Sequence, residues 1–240
     1  IKACLQNLIT FSNDVCVVDS FSTDSTRRIL GEFKQITVLT NEFKDFASQR
    51  NYALDKAEFK NDFILHIDAD ERISMELDNE LRFRASKFNT DTVGFLRHIN
   101  IIEGEKMYFL RESIRGQARF FHKSIRFRSI GHGQYVTGYN NVRFNRRLEH
   151  YPFSKGVDDW IKKHRTYARN EAIDCSNVDK MLIQLRLYMM KNLIIDYLLC
   201  LGLLNAKKGR LYLSLKQYYY RSIQDHVRSR KRQLKTGATP

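Results

Sequence analysis

Two short apolar stretches in the first third of the chain each end in aspartates, and this feature constrains the fold most. The segment DVCVVD covers residues 14–19, and the segment DFILHIDAD covers residues 62–70. Short apolar runs bounded by polar residues are typical of strands buried in a parallel sheet. Segments with helical character follow them, at 46–57 and 74–86. This alternation predicts an α/β fold with a mostly parallel sheet.

The aspartates mark one edge of that sheet. In open α/β sheets, ligands bind beyond the carboxyl ends of the strands, where Asp19, Asp68 and Asp70 are expected. Asp68 and Asp70 flank one small residue, so they can share a hard divalent cation that also binds phosphate oxygens and water. A metal there would neutralise a diphosphate leaving group. The alternative is a chance Asp-x-Asp sequence that caps a helix.

Two further residues near this edge are candidates for nucleotide binding. Asp19 can accept a hydrogen bond from a base edge or a ribose hydroxyl, whereas Asp24 is expected only to cap the helix that follows it. Arg50 lies near the start of a predicted helix at the same edge. It could stack on a base or hold a phosphate, and the alternative is an ordinary surface arginine.

The second part of the chain has a different pattern. Segments with strand character follow residue 90, and from about Asp158 the chain is predicted to be helical. We therefore predict two regions, 1–155 and 156–240. In the second, Trp160, His164 and Tyr167 share one side of a helix, a spacing usual for core packing. The alternative is that His164 faces a diphosphate or an acceptor phosphate.

Positive charge is concentrated near the C-terminal end. The net charge is +14, and residues 207–235 hold ten Lys and Arg and one acid. The apolar segment 187–204 contains Lys191 and Asp196, so it is not expected to span a membrane. Apolar and aromatic residues alternate with cations after it, which favours a helix lying on an anionic membrane surface. The alternative is a solvated tail, and nucleic acid is not expected because no recognition motif accompanies the charge.

Several segments together carry a family resemblance. VVDSFSTDST, FASQRNYALDKA and DFILHIDADERIS resemble the nucleotide-sugar half of family 2 glycosyltransferases, which have the GT-A fold. ARFFHKSIRFRSIGHGQ and LEHYPFSKGVDDWIKKHRTYARNEA resemble later segments of the bacterial subgroup that builds lipopolysaccharide core and exopolysaccharide, often as glucosyltransferases. The resemblance implies a Rossmann-like, mostly parallel sheet with helices on both faces, followed by a C-terminal helical extension. Family members begin with one more strand, which this sequence does not contain.

The resemblance also implies roles for individual residues. Asp19 matches the aspartate that reads the uracil or its ribose, and Arg50 matches the arginine beside the base. Asp68 matches the aspartate near the ribose and metal, Asp70 matches the metal ligand, and Arg119 matches an arginine at the rim near donor or acceptor. The implied reaction is inverting transfer of a hexose from a UDP-sugar to a hydroxyl of a lipid-linked, lipopolysaccharide or exopolysaccharide acceptor. It is assisted by Mg²⁺ or Mn²⁺ and occurs in the cytoplasm, at the inner face of the cytoplasmic membrane.

The general base is the least constrained part of this hypothesis. Many relatives carry a His-Glu pair where this chain reads GHGQ, with Gly133 in place of the glutamate. The reaction needs a proton acceptor within hydrogen-bond reach of the acceptor hydroxyl, and His132, Glu149 and Asp158 are candidates. His132 is chosen because of its ordinary pKa and its position between two glycines. Its alternative is a hydrogen bond to loop backbone.

Three other functions remain open at this point. A nucleotidyltransferase would use similar metal chemistry, but it would consume a nucleoside triphosphate and release pyrophosphate. A basic nucleic-acid-binding protein would explain the net charge. An inactive relative that binds a partner would explain the missing first strand.

Overall fold

The computed structural model describes residues 1–107, 116–130, 133–173, 175, 177–200 and 208–236. The first part of the chain alternates helices and strands: α1 Lys2–Phe11, β1 Cys16–Asp19, α2 Thr26–Gly31, β2 Thr37–Thr40, α3 Phe46–Lys56, β3 Phe63–Leu65, β4 Glu71–Arg72 and α4 Met75–Ala85. Strands then dominate: β5 Thr92–Ile102, β6 Glu105–Met107, β7 Gln117–His122, β8 Arg128–Ile130, β9 Gly133–Tyr135 and β10 Asn140–His150. Three helices end the chain: α5 Val157–Ile173, α6 Val178–Cys200 and α7 Lys208–Thr236.

The sheets mix parallel and antiparallel strands. Strands β1 and β2 are parallel, with Cys16 opposite Thr37. A six-stranded sheet has the order β3-β7-β5-β10-β4, with β6 paired to β5. The ladders β3–β7, β5–β7, β5–β6, β4–β10 and β8–β9 are antiparallel. The α/β fold class is confirmed, but among the described ladders the predicted parallel arrangement holds for β1–β2 alone. Antiparallel neighbours need no crossover helix, and among the described residues between β5 and β10 no helix separates the strands.

Side-chain caps fix the starts of two helices that lie next to the acidic segments. Asp45 precedes α3 and accepts the backbone N–H of Ser48 at 2.9 Å, in a capping box. Ser74 precedes α4, and its hydroxyl accepts the backbone N–H of Leu77 at 3.3 Å. Both helices therefore begin where their sequences dictate.

An aromatic core supports the six-stranded sheet. Helix α4 buries Leu77 and Leu81 in a cluster with Phe88, Phe120 and Phe144. The rings of Phe88 and Phe120 lie 5.2 Å apart, edge to face. A smaller cluster contains Ala47 of α3 together with Val93, Phe121, Ile125 and Phe127. These two clusters hold α3 and α4 against the strands that carry the acidic residues.

The chain divides into two compact units. The first contains Ile1–Ile99 and Ser113–His150, and the second contains Asn100–Glu112 and Tyr151–Pro240. The regions expected from the sequence, 1–155 and 156–240, stay a prediction. In the second unit, α5, α6 and α7 share a core formed by Ala168, Ala172, Leu185, Ile223 and Val227. Among the described helices, none is long and apolar enough to cross a membrane.

Candidate active site

Strand β1 delivers Asp19 to a tight loop. The side chain is buried, and its carboxylate accepts the backbone N–H of Ser22 at 3.2 Å and the Nε–H of Arg27 at 3.2 Å. Burial raises the pKa of Asp19, but the hydrogen bonds from Ser22 and Arg27 outweigh burial and lower it below its ordinary value. The carboxylate is therefore charged at neutral pH and fixed at the strand end. Asp24 accepts the backbone N–H of Thr26 at 3.0 Å, which supports its predicted capping role.

Behind the second acidic segment lies a buried cluster organised by Arg119. This guanidinium donates to Asp68 Oδ2 at 2.7 Å and to Glu71 Oε1 at 2.8 Å. Its other terminal nitrogen lies 3.0 Å from His66 Nδ1, and Glu71 Oε2 accepts the backbone N–H of Asp68 at 2.9 Å. Arg119 is buried, so it lies beneath the rim where the resemblance placed it. It neutralises two acids and fixes the turn that presents Asp68.

The Arg119 cluster shifts the titration of its members. Burial raises the pKa of Asp68, but the charge of Arg119 outweighs burial and lowers it below the ordinary range. Burial raises the pKa of Glu71, which shares the same arginine and lies beside the Asp68 charge. Burial, and then the charge of Arg50, lower the pKa of His66, so this imidazole is neutral at physiological pH. Asp68 therefore carries the negative charge of this cluster.

Asp70 is the better placed of the two predicted metal-binding carboxylates. Its Oδ2 lies 3.5 Å from His150 Nε2, at the end of β10. Asp68 Oδ2, in contrast, is engaged by Arg119. In the part of the chain that the structure describes, no three His, Cys, Asp or Glu side chains form a ready-made metal cluster. Mg²⁺ is usually held by one or two carboxylates plus substrate phosphates, so Asp70 with His150 fits such an ion.

Arg50 lies inside the first unit. Its side chain is 4% exposed, packs over the Phe127 ring at 5.1 Å, and donates to the Ala118 carbonyl at 3.4 Å. Burial, and then the charge of Arg119, lower the pKa of Arg50 to about 9. Its Nε is a buried nitrogen without a hydrogen-bond partner among the described residues. A buried N–H of this kind can donate a hydrogen bond to an added oxygen ligand at low cost.

Helix α3 links the two acidic segments. Gln49 donates to Ser20 Oγ at 2.8 Å, directly after Asp19, and accepts from Asn41 at 2.8 Å, directly after β2. The next residue, Arg50, donates to the Ala118 carbonyl of β7 and interacts electrostatically with Asp68. Asn51 exchanges two hydrogen bonds of 2.9 Å with the backbone of Phe127. Three consecutive residues of α3 therefore connect the Asp19 loop, the end of β2 and the strand that carries Arg119.

The remaining predicted residues lie elsewhere. His164 is in the second unit, where its ring stacks on Trp160 at 3.5 Å and its Nδ1 donates to the Trp160 carbonyl at 2.8 Å. These contacts favour core packing over substrate binding. His132 lies outside the described residues. Glu149 is on β10 opposite Arg72, and Asp158 is in the first turn of α5.

Sequence reasoning missed Glu71, His66, Gln49 and His150 as parts of the site. Two signals pointed to the first two: both residues lie in the segment LHIDADER, and a charged residue directly after a buried strand needs a partner. Gln49 directly precedes the candidate Arg50 in the sequence, and this position could have marked it as a residue near the site. His150 follows a long strand in the sequence, and no local pattern links it to Asp70.

Comparisons with known proteins agree on one family. The family model described as glycosyl transferase family 2 matches residues 1–151. A Rickettsia prowazekii protein, described as an uncharacterized glycosyltransferase, is 23% identical over 202 residues, 78% of this chain and 67% of that protein. A Rickettsia bellii protein with the same description is 34% identical over 91 residues, 38% of this chain and 30% of its own length.

A solved structure is also similar to the chain. It is that of Staphylococcus aureus TarS, residues 1–349, with a TM-score of 0.41 and 14% identity, and it covers 98% of this chain and 87% of that one. Because the family model covers more than half of the sequence, the chain belongs to glycosyl transferase family 2, a family of glycosyltransferase enzymes with the GT-A type of α/β fold.

Proposed function

We propose that the chain is an inverting glycosyltransferase that moves a hexose from a UDP-sugar to a hydroxyl of a lipid-linked, lipopolysaccharide or exopolysaccharide acceptor. The observation that carries this proposal is the bridge formed by α3. Gln49 and Arg50 connect the loop after Asp19 with the cluster around Asp68. These contacts support one shared site, in which Asp19 suits a nucleoside and the segment of Asp68 and Asp70 suits a metal diphosphate.

The nucleoside end of the donor is assigned to Asp19 and Arg50. Asp19 is charged and held at the strand end, so its remaining lone pairs can accept from a uracil N–H or a ribose hydroxyl. Arg50 offers a buried Nε–H without a partner among the described residues, which suits a ligand oxygen. Arg50 is therefore assigned to the side of the nucleotide base, at the buried floor of the site.

The diphosphate end is assigned to Asp70, with His150 beside it. These residues would hold Mg²⁺ or Mn²⁺, which when bound would neutralise the charge that develops on the departing UDP. Asp68 presents a charged carboxylate toward the ribose and the metal, while Arg119 fixes that carboxylate from below. Arg119 is thus a positioning residue, and His164, whose ring stacks on Trp160 in the second unit, is given no part in donor binding.

The acceptor hydroxyl must lose its proton as its oxygen attacks the anomeric carbon. The bond from that carbon to the UDP oxygen breaks, UDP leaves with the bonding electrons, and the configuration inverts. We assign the proton to His132. A His132→Ala variant is expected to lose turnover with acceptor while it binds UDP normally.

The metal role is tested with Asp70→Asn, and Asp24→Asn is the matched control because Asp24 caps α2. With UDP-sugar, acceptor and Mn²⁺, Asp70→Asn is expected to lose at least about a hundredfold in UDP release, since one ligand of a charge-stabilising metal is removed. Asp24→Asn should keep near-normal turnover. Normal turnover in Asp70→Asn would refute the metal role.

The donor is tested with a calorimetric panel of UDP-, GDP- and CMP-sugars in Mn²⁺. We expect the UDP-sugars to bind and the others to bind at least about tenfold more weakly, because a base-specific hydrogen bond is lost. Release of pyrophosphate from a nucleoside triphosphate, with no UDP formed from any UDP-sugar, would instead identify a nucleotidyltransferase.

We also propose peripheral attachment to an anionic membrane surface, at the inner face of the cytoplasmic membrane. Residues 151–240 hold 18 Lys and Arg and 7 Asp and Glu, which places +11 of the net +14 in this segment. Juxtaposed cations of this kind attract anionic lipid. Nucleic acid is the competing polyanion, and a salt-dependent gel shift that persists without residues 207–240 would favour it.

A further inference from the structure

Helix α6 exposes an apolar stripe to solvent. Ile183, Leu187 and Met190 are 59%, 62% and 64% exposed. Their spacing of four and three residues places them on one side of the helix. Single exposed apolar residues are normal, but a row of three large ones on one helix face marks a contact surface. We call these three residues the outer stripe of α6.

The opposite side of α6 is already in use. Leu185 is buried in the core shared with α5 and α7, and Met181 and Leu182 pack against that core. Helix α6 is therefore apolar on two sides, of which one is satisfied within the second unit. The outer stripe is not needed for the packing of the three helices, so its apolar character requires another explanation.

Two cations flank the outer stripe. At 100° per residue, Lys180 and Arg186 lie about 60° to either side of its centre. Both residues are exposed. Long basic side chains next to an apolar stripe can extend their charged ends toward phosphate groups while their methylene stems stay in apolar surroundings. This combination is typical of a helix that lies in the plane of an anionic lipid surface.

Helix α7, which the sequence favoured as the membrane-contacting helix, is used differently. Its apolar residues Tyr212, Leu215, Ile223 and Val227 are buried within the second unit. An apolar face that is packed inside the protein is not available to lipid. Helix α7 thus supplies positive charge. It also exposes Leu211 and Leu234, but these lie at opposite ends of the helix and form no row like the outer stripe of α6.

We propose that the outer stripe of α6, together with Lys180 and Arg186, is the surface through which this protein binds an anionic lipid bilayer. This inference rests on the proposed membrane attachment and is independent of the proposed sugar transfer. Three apolar side chains enter the interface, and the two cations pair with lipid phosphates at its border.

A second copy of the chain is a less suitable occupant. Each copy would bring a segment with a net charge of +11 and the same two border cations to the contact. Charges of one sign oppose such a self-contact, whereas they favour an anionic lipid surface. Charge complementarity therefore selects lipid over a homodimer.

The apolar part is tested with the full chain and vesicles of phosphatidylcholine containing about 30% phosphatidylglycerol. The variant Ile183→Gln/Leu187→Gln/Met190→Gln is expected to lose at least about tenfold in vesicle partitioning, because the buried apolar area disappears. The control Met75→Gln/Phe83→Gln removes two exposed apolar side chains of α4 and should partition like the unaltered chain. Unchanged helical circular dichroism and thermal midpoint verify that both variants fold.

The charged part is tested with Lys180→Gln/Arg186→Gln. Partitioning into anionic vesicles should fall about tenfold or more, while the weak partitioning into pure phosphatidylcholine should not change. Equal losses with both kinds of vesicle would contradict the pairing of these cations with anionic headgroups.

Three results would overturn the proposal. The first is normal partitioning of the triple α6 variant. The second is a loss of partitioning in Arg221→Gln/Arg228→Gln on α7 with none in the triple α6 variant. The third is an oligomer of the unaltered chain in sedimentation, together with a triple variant that is monomeric but binds vesicles as before. Release of UDP in a detergent assay with soluble acceptor should be normal in the triple variant, so failure of the transferase proposal would be seen separately.

Discussion

Arg119 shows how one buried residue can organise the side chains around it. It satisfies Asp68 and Glu71 at 2.7 and 2.8 Å and contacts His66. The half-exposed Asp68 and the buried Glu71 are neighbouring carboxylates that repel each other, and the shared guanidinium offsets that repulsion. The conformation that presents Asp68 and Asp70 therefore depends on a residue 49 or more positions later in the chain.

Replacing this arginine with Leu tests that dependence. Arg119→Leu is expected to lower the free energy of unfolding by about 3–5 kcal/mol, because it leaves the buried Glu71 without its counter-charge. Urea denaturation at neutral pH measures the change. Arg119→Lys should recover part of the loss, since it restores the charge but not the geometry of the fork. A Leu variant as stable as the unaltered chain would show that the acids are protonated or solvated instead.

At the scale of elements, local sequence patterns predicted the early helices and strands. They did not predict how the later strands pair in the sheet. The apolar runs before Asp19 and Asp68, and the helical segments 46–57 and 74–86, were visible in the sequence, and the structure has strands and helices there. The pairing of β7 between β3 and β5 depends on residues more than 20 positions apart. Periodicity reports which side of a strand is apolar, but it carries no information about the neighbouring strand.

Close packing between strands makes Gly94 on β5 sensitive. A Cβ added there would lie 2.5 Å from Phe144 Cε2 and 3.0 Å from Phe120 Cβ. Gly94→Ala is therefore expected to cost about 1–3 kcal/mol of stability through overpacking. Gly31→Ala is the matched control, because nothing lies within 4 Å of its added Cβ, and it should be neutral or slightly stabilising. Equal effects of the two changes in thermal unfolding would refute the packing argument.

Helix α4 is joined to β10 by Glu80. Its carboxylate accepts the backbone N–H groups of Asn145 and Arg146, at 3.0 and 2.7 Å. Burial raises the pKa of Glu80, but these hydrogen bonds outweigh burial and lower it below 4.5. A lowered acid pKa stabilises the fold above the unfolded-state value, and this stability is lost as the pH falls through the folded-state pKa.

Glu80→Gln should therefore be less stable than the unaltered chain at pH 7, by about 1–2 kcal/mol. The difference should shrink as the pH is lowered below about 4.5, where the glutamate itself becomes protonated. Denaturation curves over this pH range measure the difference. A stability difference between the two proteins that does not change with pH would mean that the shape of the Glu80 side chain, and not its charge, stabilises the contact.

At the scale of the whole molecule, charge and chemistry are separated along the chain. The residues assigned to donor and metal lie in the first unit, whereas residues 151–240 hold most of the net charge. The basic segment was visible in the sequence, but the exposed side of α6 was not, since that helix is apolar nearly all round. Only the packing of α5, α6 and α7 shows which side of α6 is exposed to solvent.

Ligand binding should stabilise the folded chain by mass action. With Mn²⁺ present and free UDP at about a hundred times its Kd, the gain is about 2.7 kcal/mol. This corresponds to a rise of several degrees in the unfolding temperature, which scanning fluorimetry can follow. Asp70→Asn should lose the Mn²⁺-dependent part of the shift. An equal shift for GDP would argue against Asp19 as the residue that reads the base.

The seat of α3 has a mechanical consequence. Because Gln49 donates to Ser20 while Arg50 donates to Ala118, any small tilt of this helix would displace both ends of the proposed donor site at once. A change in the angle of α3 would then alter nucleotide affinity and the orientation of the leaving group together. Substitutions that change this angle should therefore have the largest effect on donor preference.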